Sequence, residues 1–360
     1  MNLEALTNNL KSGKLNIVWP SVVRQFYFLK DKVDYDLSCG IAKVGDIILT
    51  KLVNPRVAEI EFPNGRIGIV YKNQLIVGAL GYRRTTISYV GVIPNKGIKV
   101  VQGNKIYLSL LSKSGLVGVL ASKSVYFPNP PKVELIALFK SRFKNLNLTD
   151  FALRASGNLH MATPLLIVAG SSSECGKTTV CSHLIRALIN NGFKVSAAKL
   201  TGAGSMRDKL KFVDSGASPV YDFVDGGLAS TPDRYSIIPV AKNILSKIIE
   251  TGRPDIIIIE LAGSLLIEAN KAILLDKEIR KNLLGVIFVS NDEIGAIGGL
   301  YILQKNYNLR PLFFSGKATD TITGIEHIYN ETGIPAINFE NTDEMVKVLK
   351  DKLKKGIVKK

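Results

Sequence analysis

The apolar run Leu165-Leu166-Ile167-Val168-Ala169 leads directly into Gly170-Ser171-Ser172-Ser173-Glu174-Cys175-Gly176-Lys177-Thr178-Thr179. Such a short, uninterrupted apolar segment reads as a strand buried on both faces, which requires a parallel sheet covered by helices. Beyond the loop, Val180, Leu184, Ile185, Leu188 and Ile189 recur at helical spacing, and Asn191-Gly192 supplies a stop. A glycine-bounded loop between strand and helix turns its backbone amides inward, and the helix N-terminus adds partial positive charge; together these cradle phosphate oxygens. Lys177 can reach the outer phosphates and the Thr178 hydroxyl can serve Mg²⁺. Gly170 and Gly176 enclose five residues where the strict P-loop pattern has four, with Ser171 at the strict first position. Gly170 through Thr179 are therefore the candidate phosphate-binding residues.

The second half of the chain repeats this alternation. Apolar runs at 195–198, 256–259, 286–289 and 312–314 are strand-sized. Helical patterns lie between them at 237–249 and 294–303, and a last helix is capped by Asn341 with Glu344 three residues on. Alternating strands and helices predict an α/β P-loop sheet with flanking helices. The first half reads differently. Val57 to Phe62 meets Pro63-Asn64-Gly65 before Ile67 to Tyr71, a hairpin signal, and further reversals fall at Lys72-Asn73-Gln74 and Gly103-Asn104. These predict a smaller β-rich domain, barrel- or sandwich-like, with Trp19, Tyr27 and Phe28 filling or edging its core. The expected boundaries are 1–130 for that domain, 131–163 for a linker and 164–360 for the P-loop domain.

At 360 residues and 46% hydrophobic content, two ordinary globular domains are expected. No apolar run approaches a membrane span, Met1 to Lys14 lacks the order of a signal peptide, and no membrane partner is expected. Cys39, Cys175 and Cys181 have neither disulfide-framework nor zinc spacing, which favours the cytoplasm. The net charge of +17 is uneven: residues 1–160 carry 22 Lys/Arg against 9 Asp/Glu, a balance of +13. Such a surface admits a nucleic-acid, anionic-metabolite or acidic-protein partner, although no nucleic-acid motif accompanies the charge. His160, His183 and His327 sit in no nucleophile motif, so hydrolytic triad chemistry is not expected.

Ligands of an open α/β sheet bind beyond the carboxyl ends of its strands. Lys199 stands at one such end, before Thr201-Gly202, where an ammonium can meet phosphate or developing negative charge. Glu260 follows the four isoleucines 256–259, a carboxylate facing the P-loop that fits Mg²⁺ support alongside Thr178. Asp222 and Asp225 lie in a segment with Ser230-Thr231 that suits an amine or alcohol substrate or a second metal, though ordinary turn chemistry explains it as well. Asp292 and Glu293 open a helix and read first as capping.

Gly170-x₅-Gly176-Lys177-Thr178, Lys199-x-Thr201-Gly202, Glu260-x-Ala262-Gly263 and Ile294-Gly295-Ala296-Ile297, in that order, resemble the dethiobiotin synthetase-like P-loop proteins over about residues 164–340. The resemblance implies ATP and Mg²⁺. It implies catalysis by Lys177, Lys199 and Glu260 and metal support by Thr178 and Glu260, while Thr201 joins Asp222 and Asp225 as a candidate substrate contact. The implied chemistry is activation of a small carboxylate, carbamate or hydroxyl substrate by phosphoryl transfer, in an enzyme that is often a homodimer. Ser172 stands where that enzyme carries aspartate, and no base-recognising asparagine follows Ser315-Gly316. With its basic first domain the chain is also similar to a two-domain branch resembling the D-glutamate N-acetyltransferase family, which implies CoA and acyl transfer as the alternative. A nucleotide-regulated binding module is a third reading.

Overall fold

The computed structural model describes residues 2–156, 163–231 and 234–357. They divide into two units, one comprising Met1–Leu153, Ala203–Arg207 and Phe223–Pro232, the other Arg154–Gly202, Asp208–Asp222 and Asp233–Lys360. Among the described residues no helix is long and apolar enough to cross a membrane.

In the first unit, Leu75–Leu80 pairs antiparallel with Ile47–Asn54, and the ladder continues through Lys132–Lys140, Ile106–Leu110 and Leu116–Lys123. The last of these returns to Leu75–Leu80, with Leu116 opposite Ala79 and Val117 opposite Leu80, so the ring of pairings closes as a barrel. Closure removes the exposed edges an open sheet would present. Ile48, Ile76, Leu108, Val117 and Val133 form one core cluster of this unit. A second cluster gathers around Phe26, whose ring lies 5.4 Å from Phe139 and 5.0 Å from Phe151. The hairpin at 57–71 forms in the expected register, Val57 opposite Tyr71.

Two expectations for this unit need correction. Residues 131–163 are not a linker throughout, because Lys132–Lys140 is a central barrel strand and Leu146, Leu148 and Phe151 are buried. The proline-rich run before it only ends a strand, since proline cannot donate to a ladder. Residues 157–162, His160 among them, lie outside the described residues. Of the three aromatics expected to fill or edge the core, Trp19 packs on Phe26 and Phe139, whereas Phe28 is 64% exposed and touches Tyr27.

The second unit is the expected parallel sheet. Its strands are β1 (Leu165–Gly170), β2 (Val195–Lys199), β3 (Val220–Asp222), β4 (Ile256–Glu260), β5 (Leu283–Val289) and β6 (Pro311–Ser315). Their spatial order is β3-β2-β4-β1-β5-β6, with every neighbouring pair parallel. The helices are α1 (Lys177–Asn190), α2 (Arg207–Asp214), α3 (Arg234–Gly252), α4 (Glu268–Leu275), α5 (Lys277–Lys281), α6 (Glu293–Tyr307), α7 (Ile322–Thr332) and α8 (Thr342–Ile357). Leu166 and Val168 of β1 pack with Val180, Leu184 and Leu188 of α1 and Met345 and Leu349 of α8. Leu165 and Ile167, which point the other way, are equally buried, so both faces of the sheet are covered. The apolar run that suggested a strand buried on both faces is one. Edge strand β3 escaped the sequence reading because Val-Tyr-Asp is too short to display a period.

Candidate functional site

β1 lies between β4 and β5 in the sheet, and its loop opens at their carboxyl ends. Gly170 ends the strand where a Cβ would stand 2.7 Å from Cys175 Sγ and 2.8 Å from the Val289 carbonyl. Only glycine lets the loop fold back this tightly. Gly176 caps α1 in the left-handed region, φ 105°, and Glu174 is also left-handed at φ 64°. Alternating handedness of this kind turns successive amides toward one concavity. The Ser171 amide donates to Val289 O at 2.9 Å and is not part of the cradle. Among the described residues, the amides of 172 to 178 donate to no protein group. The candidate cradle therefore runs from 172 to 178, and Gly170 and Ser171 shape it.

Lys177 is 5% exposed, and its Nζ donates to the Ser172 carbonyl at 2.5 Å and the Gly263 carbonyl at 3.1 Å. The ammonium thus arches over the loop, bonded to neutral carbonyls. Cys175 is buried beneath, its thiol directed at the Ser172 and Val289 carbonyls, which fits the loop-filling role. Ser172 Oγ receives a bond from Asn291 Nδ2 at 2.7 Å, tying the loop to the segment after β5. Thr179 continues the first turn of α1, half-buried.

Glu260 ends β4, 1% exposed, in register with Val168 on one side and Lys199 on the other. Thr178 Oγ1 donates to Glu260 Oε1 at 3.2 Å, and Lys199 Nζ bonds the same oxygen. Glu260 Oε2 is buried with no hydrogen-bond partner. A bare buried carboxylate oxygen is costly unless a donor or cation meets it. The donor set is hard oxygen, which suits Mg²⁺ with phosphate and water completing its shell. Among the described residues no cluster of three or more His, Cys, Asp or Glu forms a cage by itself.

Lys199 is also paired with Asp208 at 2.8 Å. Burial by itself would push its pKa down, but Asp208 and Glu260 outweigh burial and raise it above the ordinary lysine range. Its charge is thus already matched by two carboxylates, which corrects the picture of a lysine open to a substrate anion. Asp222 lies at the end of β3, in register with Lys199 and 2% exposed. Burial, with Glu260 adding to it, pushes the Cys181 thiol well up, leaving it an inert core group.

Two candidate substrate residues have other work. Thr201 is 1% exposed; it donates to Asn270 Oδ1 at 2.7 Å and accepts from the Ala262 amide at 2.8 Å. Asn270 Nδ2 in turn donates to the carbonyls of Ala262 and Ser264, so the pair braces the loop after Glu260. Asp225 belongs to the first unit, where Arg24 binds it through Nη2 at 2.6 Å and Nε at 3.1 Å, with Gln25 at 2.9 Å. Both charges are buried, so this is a structural ion pair rather than a substrate contact. Asp292 accepts from the Gly295 amide at 2.6 Å and caps α6 as expected. His183 packs edge-on against Phe339, and His327 lies 3.7 Å from Glu293 on the surface.

Asp208, Asn270, Asn291 and the Gly263 carbonyl are site components that the sequence reading missed. Asp208 stands in the first turn of α2, and nothing in a linear pattern pairs it with a lysine nine residues earlier. Replacing Asn270 with alanine removes the acceptor of the Thr201 hydroxyl and the amide that donates to the Ala262 and Ser264 carbonyls. It is expected to cost about 1–3 kcal/mol, read as a lowered chemical-denaturation midpoint.

No family model matches the chain, and no curated protein sequence does. Among solved structures, FtsY from Mycoplasma mycoides is 18% identical, covering 51% of this chain and 62% of that one, with a TM-score of 0.36. The signal recognition particle 54 kDa protein from Aeropyrum pernix K1, in complex with GDP, is 17% identical, covering 52% and 44%, at 0.37. A DUF1611 family protein from Anabaena variabilis is 14% identical, covering 55% and 62%, at 0.35. The chain spans less than two thirds of the length of each of these three. At such scores the likenesses carry no argument of their own. The P-loop α/β fold stands on strand order and loop geometry, and the likeness to dethiobiotin synthetases on sequence motifs alone.

Proposed function

We propose that the loop from Ser172 to Thr178 binds the phosphates of ATP with Mg²⁺, and that the chain is an enzyme activating a small carboxylate, carbamate or hydroxyl substrate by phosphoryl transfer. The observation that carries this reading is the Thr178–Glu260 contact, with Glu260 Oε2 bare and buried beside amides that donate to no protein group. Mg²⁺, when bound, supplies charge neutralisation between phosphate oxygens. The chain's own residues do the rest. Amides 172 to 178 orient the polyphosphate, and Lys177 exchanges neutral carbonyls for anionic oxygens, a gain that favours its turning outward. Lys199 and Asp208 hold Glu260 in place. Asp222, at the carboxyl end of β3 in register with Lys199, contacts the substrate. Catalysis of this type is mainly positioning and electrostatics.

A thermal-shift series with ATP, GTP and CoA, each with and without Mg²⁺, tests the reading. ATP with Mg²⁺ at about 100 times its Kd should stabilise the protein by about 2.7 kcal/mol, and omission of Mg²⁺ should reduce the shift. Stabilisation by CoA alone would replace phosphoryl transfer with acyl transfer. No response to any of the three would end the assignment. ATP turnover is then measured against a panel of small amines, acids and alcohols.

A further inference from the structure

Three loops of the barrel unit converge at one rim and expose side chains of an unusual mixture. Phe143 is 86% exposed, Ile41 51% and Val44 44%. The loops are fastened together: Asn145 Nδ2 donates to the Ile41 carbonyl at 2.9 Å and Asn147 Nδ2 to the Val44 carbonyl at 3.0 Å. Both asparagines also bind the buried carboxylate of Asp46, which takes the Lys43 amide as well. Ile41 is in register with Lys99, and a Cβ at residue 97 would stand 2.6 Å from Ile41 Cγ2, so the turn at 94–99 lies directly against it. The apolar tips are therefore held in place rather than extended by slack.

Cations surround them. Lys43, Lys96, Lys99 and Arg142 are exposed, and among the described residues none of the four is in an ion pair. The acids nearby are engaged. Asp46 is buried under the asparagines, Asp150 pairs with Lys144, and Asp36, opposite Lys140, pairs with Lys11. Scattered exposed hydrophobics need no explanation, but three neighbouring ones ringed by unpaired cations do.

We propose that this rim docks the protein on an anionic phospholipid bilayer, with Phe143, Ile41 and Val44 entering the headgroup layer and Lys43, Lys96, Lys99 and Arg142 meeting lipid phosphates. Charge complementarity selects an anionic partner, and the apolar tips select one with a hydrocarbon boundary. Single-stranded nucleic acid fits less well: successive bases stack on aromatic faces, and Ile41 and Val44 have none to offer. This is a peripheral contact, which overall hydropathy does not reveal, and it is independent of what the P-loop binds.

The test is co-sedimentation of the full chain with vesicles of phosphatidylglycerol and phosphatidylcholine, against phosphatidylcholine alone, at low and high salt. Binding to the anionic vesicles, reversed by salt, is expected. Lys43→Glu with Lys99→Glu should lower partitioning at least tenfold, since each lysine removed costs about fivefold. Phe143→Asp should lower it comparably, and Phe143→Leu should largely keep it. All of these positions are exposed, so unchanged circular dichroism accompanies each variant. Lys72→Glu, an exposed lysine at a hairpin end, serves as control and should change partitioning by less than about twofold. No binding to anionic vesicles at low salt, an equal loss in the control, or capture of a single-stranded oligonucleotide by these residues without vesicle binding would each overturn the proposal.

Discussion

Lys177→Ala is expected to weaken ATP binding by about 100-fold, equivalent to about 3 kcal/mol, the upper range for a hydrogen bond to a charged group. The side chain has few alternatives: its stem is buried and its Nζ donates to the Ser172 and Gly263 carbonyls, with Cys175 Sγ at 3.5 Å. In the free protein those two bonds are to neutral acceptors, so losing them should lower the melting temperature by only a few degrees. Isothermal titration with ATP reads the first quantity and circular dichroism the second. Intact affinity in a folded variant would mean that the loop is a turn without a ligand.

Glu260→Gln separates the metal from the phosphates. The amide keeps the shape of the carboxylate but loses the charge that accepts from Thr178 and Lys199. Mg²⁺-dependent turnover should fall about 100-fold or more, because metal-assisted charge stabilisation is worth several kcal/mol. Affinity for ATP without Mg²⁺ should change by less than about threefold, since the amides and Lys177 are untouched. A pH signature accompanies this. Lys199 has its pKa raised above the ordinary 10.5, so the stability it contributes is present below that value and is lost only as pH rises through the higher, folded-state value. In the variant, burial opposes one carboxylate instead of two, the folded-state pKa falls, and alkaline destabilisation should begin at lower pH than in the wild type. Denaturant midpoints measured from neutral to strongly alkaline pH reveal the difference. Coincident profiles would show that Glu260 does not hold the Lys199 charge.

The ionisable residues at the strand ends were legible because each announces itself locally. Four isoleucines and then Glu260, or a short apolar run and then Lys199, combine a buried-strand pattern with one ionisable residue, and strands expel charge except at their ends. Thr201 and Asp225 had equally good local chemistry and were misread. Their hydroxyl and carboxylate are taken by Asn270 and Arg24, which lie 69 and 201 residues away in sequence. Polar side chains carry no mark of which partner will claim them. Lys132–Lys140 was passed over as linker because a proline run preceded it, although Val133, Leu135 and Ala137 alternate with more exposed residues in the manner of any barrel strand.

The sequence by itself determined the class of the second unit, the position of its phosphate loop and the hairpin of the first. These follow from periodicities and turn residues acting over a few positions, where backbone sterics and burial leave little choice. Tertiary structure alone decided that the barrel closes by a parallel pairing of Leu116 with Ala79. It also decided that Lys199 faces two carboxylates, that one oxygen of Glu260 remains bare beside Thr178, and that Asn145, on the loop carrying Phe143, binds the Ile41 carbonyl. Each of these depends on which groups meet across long separations in sequence. Desolvation and charge pairing settle that competition only once every rival partner is in place.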